Sequence, residues 1–198
     1  MQEKKINKLF QSKTMYVCQI DEADLSDDEL LAFSVKHKIA ENLVTYLQKF
    51  AEIEEESNLM RTYIVRDNID NELVGYFSLK AGMVSIDEKK GETKSSFNTH
   101  PGIEIANFAI NNTYLKNHKH MKGCGKTIFI DFIMPIVDIT ASLIGVRDIY
   151  LFALPNKNLI NLYESYGFSR LDKEDEELLH ARLKPRYDAQ CIFMFQKI

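Results

Sequence analysis

The sequence predicts a mixed α/β fold, and three observations carry that prediction. Short runs rich in β-branched and aromatic residues alternate with stretches whose apolar residues recur every three or four positions. Two strand-like runs, 62–65 and 73–79, flank turn chemistry at 67–71, which is the pattern of a hairpin. The later segments read strand, glycine-bearing turn, helix, strand, helix, the order of a layered domain. With 198 residues, 45% hydrophobic and 27% charged, the chain suits one core, and it is read as a single domain, 1–198, with an N-terminal arm at 1–14.

Residues 15–20 alternate weakly and form the first strand, and the acidic turn 21–28 offers Ser26 as the cap of a short helix. Between 36 and 55, Ile39, Leu43, Tyr46, Leu47, Phe50 and Ile53 recur at spacings of three and four, which predicts one long helix with 52–56 as its solvated end. The second hairpin strand continues past a bend at Gly82 through 83–86, and the polar stretch 87–100 reads as a loop. A third strand, 103–110, leads into a basic turn. The helix after Gly125 contains Pro135, which removes a backbone donor and predicts a kink. Residues 148–154 form a strand, 156–166 a helix closed by Gly167, and 191–196 the last strand.

Lys plus Arg at 25 against Asp plus Glu at 29 gives −4, so the chain as a whole has no electrostatic reason to coat nucleic acid or an anionic membrane. Cys18, Cys124 and Cys191 are odd in number and form no CxxC, so they read as reduced thiols, and no metal site is expected. The most apolar stretch, 128–146, is interrupted by Asp131, Pro135 and Asp138 and reads as a core helix rather than a membrane span. No apolar run follows the lysine-rich residues 1–10, so the expected location is cytoplasmic.

His120, Met121, Lys122, Gly123, Cys124, Gly125 and Lys126 lie between a strand and a helix. Glycine there lets the backbone approach a ligand, and the amides opening the helix attract an anion, so the segment reads as a phosphate cradle. Lys116, Lys119, Lys122 and Lys126, with His118 and His120, add positive charge, and the turn itself has no acidic residue. Gly125, Lys126 and Thr127 end like a nucleotide P-loop, but GxxxxGK[ST] needs glycine where this chain has His120.

The succession Glu104 to Ile110, then Gly123, Cys124 and Gly125, then Asn156 and the segment Leu162, Tyr163, Glu164, Ser165, Tyr166, Gly167, Phe168 resembles the GNAT superfamily of acyl-CoA-dependent N-acetyltransferases. The resemblance spans residue 15 to the C-terminus. It implies a mostly antiparallel central sheet flanked by helices, splayed between the fourth and fifth strands, and acetyl-CoA as co-substrate. It also implies that the 120–126 turn binds the pyrophosphate, that Phe108, Ala109 and Ile110 lie along the pantetheine, and that Asn156 bonds it. His120 replaces the usual Gln or Arg, and the turn 113–121 is longer than typical.

Acetyl transfer to an amine needs an amine that can lose a proton and a proton for the departing thiolate. Glu104 falls where histone-acetyltransferase-like members carry their general base, against the competing reading of a strand-end glutamate. Tyr163 falls at the family's general acid, against that of a core aromatic. Cys124 has the setting of an activated thiol at a helix start, but direct transfer needs no acyl-enzyme. The acceptor segments implied by the fold, 34–56, 87–100 and 172–189, are acidic or mixed and suit a cationic amine of a small molecule or protein, which is the main expectation. Residues 62–85 also resemble GNAT toxins that acetylate aminoacyl-tRNA, the first alternative. A catalytically silent GNAT fold that senses acyl-CoA is the second. The oligomeric state stays open, with a homodimer one option.

Overall fold

The computed structural model describes residues 7–90, 94–182 and 190–198. Among the described residues, eight strands form a mixed, mostly antiparallel sheet with helices beside it. They are β1 Phe10–Gln11, β2 Met15–Gln19, β3 Arg61–Asp67, β4 Leu73–Lys90, β5 Lys94–Ile110, β6 Asp148–Ala153, β7 Ser169–Arg170 and β8 Ile192–Lys197, in the order β1-β2-β3-β4-β5-β6-β8-β7. The helices are α1 Asp27–Ala32, α2 Glu41–Lys49, α3 Ala51–Glu56, α4 Asn112–Asn117, α5 Cys124–Ile128, α6 Met134–Leu143, α7 Lys157–Ser165 and α8 Lys173–Arg182. The chain packs as two compact units, Met1–Lys80 with Asn107–Ile136, and Ala81–Ala106 with Val137–Ile198.

In the first unit β2, β3 and the start of β4 pair antiparallel, with Val17 opposite Val65 and Val65 opposite Gly75. Most of their side chains are buried on both faces, which is why 62–65 and 73–79 read as apolar runs and the alternation of 15–20 is weak. The β3–β4 turn is held by Asp67, whose Oδ1 accepts from the Ile69 and Asp70 amides at 2.7 and 3.2 Å, as its turn chemistry predicts. Ser26 caps α1 in a reciprocal box with Glu29. The Glu29 carboxylate also grips the buried Arg66 guanidinium at 2.6 Å, whose other donors reach the carbonyls of Ala23, Asp24 and Asn71.

The long helix expected over 36–55 is broken. A 3-10 turn at Lys38–Ala40 precedes α2, and Phe50, at φ −121° and ψ −25°, separates α2 from α3. The break turns the apolar stripe, so Val44, Tyr46, Leu47 and Ala51 are buried while Ile39, Phe50 and Ile53 are exposed. The acidic end is not simply solvated. Glu54 is buried, and the Glu55 carboxylate accepts from the Thr62 amide at 2.6 Å and from Arg61 at 2.9 Å.

Residues 87–90 and 94–100, expected as loop, belong to β4 and β5; residues 91–93 lie outside the described residues. Their polar composition carries little strand preference, and the ladder with the neighbouring strand decides the conformation. Pro135 lies inside α6, and the change in helix type falls on the turn before it. That turn, Phe129–Ile133, is π-helical, with the Met134 amide bonded to the Phe129 carbonyl. Widening that turn relieves the contact between the proline ring and the Asp131 carbonyl four residues back.

In the second unit β6 pairs parallel with β5 and antiparallel with β8. The parallel register runs from Gly102 opposite Asp148 to Ile105 opposite Leu151, after which β5 continues to Ile110 and β6 to Ala153. This is the expected splay; with β1 counted, it falls between the fifth and sixth strands. β1, β7 and α8 were not anticipated by the sequence patterns. Among the described residues no helix is long and apolar enough to cross a membrane.

Candidate cofactor and acyl-transfer site

In the first unit, the end of β5 and the glycine turn lie against each other. Ala109 is buried, and Phe108 and Ile110 are half-buried. A Cβ placed on Gly125 would stand 3.8 Å from the Ile110 side chain and 3.9 Å from the Phe108 ring, ordinary contact distances. Gly75 is what admits the strand, since a side chain there would meet the Ala109 carbonyl at 2.5 Å. Three of the segments the sequence singled out therefore meet.

The longer turn is α4 followed by a 3-10 turn at Lys119–Met121. Asn111 starts it, accepting from the Thr113 amide at 3.1 Å while its side-chain nitrogen donates to the Leu73 carbonyl at 2.9 Å. Tyr114 then points inward and donates to Asp67 Oδ2 at 2.5 Å. His118 stacks on Tyr114 with ring centres 4.3 Å apart, and its Nε2 lies 3.0 Å from Glu72. So the turn that has no acid of its own receives one from the β3–β4 connection.

Beyond it, Met121 and Cys124 are buried, and His120, Lys122, Gly123 and Lys126 are exposed. Gly123 takes φ +95°, which a side chain resists, and nothing lies within 4 Å of where its Cβ would be. The helical run from Cys124 through Leu143 begins here; the Lys126 amide already donates to the Gly123 carbonyl at 3.1 Å, and the amides ahead of it lie before the first helical hydrogen bond. The residues fit an anionic pyrophosphate. Burial pushes the Cys124 thiol up to about 11, so it is a packed, protonated group rather than an activated nucleophile. Among the described residues no group of three metal-ligating side chains occurs.

In the second unit Tyr163 owes its position to the end of α7. The Gly167 amide donates to the Glu164 carbonyl at 3.0 Å and the Phe168 amide to the Tyr163 carbonyl at 3.1 Å, with Gly167 at φ +95°. That double bond is the Schellman motif, and its apolar contact is the Tyr163 and Phe168 ring pair at 5.7 Å. Burial first, and the neighbouring Tyr166 second, push the Tyr163 phenol far above its ordinary range, so at neutral pH it carries its proton. Asn156 caps the other end of α7, its Oδ1 accepting from the Asn158 and Leu159 amides at 3.0 and 3.3 Å.

Glu104 is half-buried on β5 and accepts a hydrogen bond from the Tyr150 phenol on β6, a partner sequence reasoning missed. The signal was present in Gly82 and Gly102. A Cβ on Gly82 would fall 1.9 Å from the Tyr150 hydroxyl, and one on Gly102 would meet the Tyr150 ring at 3.0 Å.

No protein-family model matches the sequence, and no curated protein matches it. Solved structures do. A mutant AtaT toxin bound to the C-terminus of the antitoxin AtaR and acetyl-CoA is 18% identical, with a TM-score of 0.63 over 92% of this chain and 92% of that one. The fold is the GNAT fold. AtaT complexed with acetyl-methionyl-tRNAfMet gives 19% identity and a TM-score of 0.62 over 90% of this chain and 93% of its own. A tyrosine-to-phenylalanine mutant of KacT gives 16% and 0.66 over 93% and 95%. The GNAT likeness thus extends over nine tenths of both chains in each case, and the parallel β5–β6 pair carries the splay implied by the sequence resemblance.

Proposed function

We propose that this GNAT chain is an acetyl-CoA-dependent N-acetyltransferase whose acceptor is the α-amine of an aminoacyl-tRNA. The observation that carries the acceptor is the fold likeness to AtaT, which is solved with an acetylated methionyl-tRNA. The sequence expectation of a small-molecule or protein amine rests on the acidic or mixed segments 34–56, 87–100 and 172–189 and on the net charge of −4; charge alone does not tell one amine acceptor from another, and the fold likeness favours the aminoacyl-tRNA alternative. AtaT is also bound by a segment of AtaR, so a silencing partner chain belongs to the same reading.

In this reading the amides opening at Gly123 and Gly125, with Lys122 and Lys126, hold the pyrophosphate. Backbone of Phe108, Ala109 and Ile110 lies along the pantetheine, His120 and Met121 flank the turn, and Asn156 contributes a side-chain amide. The acceptor nitrogen attacks the thioester carbonyl; the C–N bond forms and the C–S bond breaks. Glu104 takes the amine proton directly or through water, and Tyr163 gives its phenol proton to the departing thiolate. Incubation with radiolabelled acetyl-CoA and a mixture of aminoacyl-tRNAs, polyamines, amino sugars and peptides tests the acceptor. Label in the aminoacyl-tRNA fraction supports the reading; label only in small amines or peptides replaces it.

A further inference from the structure

We propose that Tyr150 is a positioning residue for acyl transfer, fixing the Glu104 carboxylate where it receives the proton of the acceptor amine; the inference rests on the acetyltransferase reading above. Glu104 and Tyr150 stand opposite each other in the parallel β5–β6 register, one residue before its last pair, so their side chains leave the same face. The phenol donates to the carboxylate, and the Met83 amide donates to the phenol oxygen.

The phenol itself is held rigidly. Its hydroxyl occupies the space a side chain at Gly82 would need, and its ring covers Gly102. Neither glycine takes a positive φ, so no backbone turn requires glycine at these positions, whereas the Tyr150 side chain does. Phe193, with its ring centre 5.6 Å away, packs the same ring. A glutamate side chain has three rotatable bonds, and a hydrogen bond from a packed phenol removes much of that freedom before substrate arrives. Glu104 stays half-buried and so remains open to an acceptor. Burial and the Glu104 charge keep Tyr150 protonated, so it orients the carboxylate without taking the transferred proton.

A kinetic double-mutant cycle of Tyr150→Phe and Glu104→Gln tests this. Acting through Glu104, Tyr150→Phe lowers kcat roughly tenfold with KM for acetyl-CoA changed less than about twofold, and costs nothing further in the Glu104→Gln background. Gly82→Ala, which displaces the hydroxyl, lowers kcat in the same way. Independent multiplicative losses, or an unchanged kcat in Gly82→Ala, overturn the proposal. Proton NMR reads the pair without turnover: a downfield hydroxyl resonance in the wild type disappears in Tyr150→Phe and moves in Glu104→Gln. Absence of that resonance in the wild type overturns the pairing itself. Its presence in a wild type that transfers no acetyl group overturns the acetyltransferase reading, and the positioning role with it.

Discussion

The Tyr114 hydroxyl donates to the Asp67 carboxylate at 2.5 Å, and both side chains are buried. That bond ties α4, which leads directly into the glycine turn, to the β3–β4 connection. Tyr114→Phe leaves a buried carboxylate oxygen without its donor. It should cost about 1–3 kcal/mol in urea denaturation and weaken acetyl-CoA binding, measured by calorimetry, more than it lowers kcat.

Burial works to raise the Asp67 carboxyl, but the bonds from Tyr114, Ile69 and Asp70 and the nearby His118 hold it below the usual carboxylate range. Burial likewise opposes Arg66 and Ser26 at Glu29, and again the partners prevail. A carboxyl depressed in the folded state contributes stability above its unfolded pKa, near 4, and loses it as pH falls through the lower folded value. Urea midpoints should therefore drop as pH falls below about 4, and the drop should be shallower in Asp67→Asn.

Tyr163→Phe keeps the ring in the Schellman contact and removes the proton. We expect kcat to fall roughly 10 to 1000-fold with acetyl-CoA affinity little changed, read by steady-state kinetics and calorimetry. A wild-type kcat would assign the residue to packing alone.

Gly123→Ala places a side chain at φ +95° with no steric neighbour, so its whole cost is conformational, about 1–2 kcal/mol. If the 120–126 turn holds the pyrophosphate, acetyl-CoA affinity should fall roughly tenfold by titration calorimetry.

With its thiol pushed up to about 11, Cys124 should alkylate slowly at pH 8, where roughly one thiolate in a thousand is present. Cys124→Ala should keep acetyl transfer; loss of turnover with intact folding would return the thiol to the mechanism.

Features set by neighbours in sequence could be read from it. Ser26 with Glu29, Asn156 at the head of α7, Gly167 and Phe168 at its end, and Asp67 in the hairpin turn each satisfy backbone groups within a few residues, so their chemistry is local. The glycine turn belongs with them, because φ at Gly123 is a property of the turn itself. The Glu104 and Tyr150 pair, the Tyr114 and Asp67 bond and the Glu72 contact of His118 join residues far apart in the chain. No periodicity announces them, because strand pairing and packing bring them together. The break at Phe50 and the strand conformation of the polar residues 94–100 have the same origin. At the first, the burial of Val44, Tyr46, Leu47 and Ala51 decides, and at the second, pairing with the neighbouring strand outweighs the weak preferences of the residues themselves.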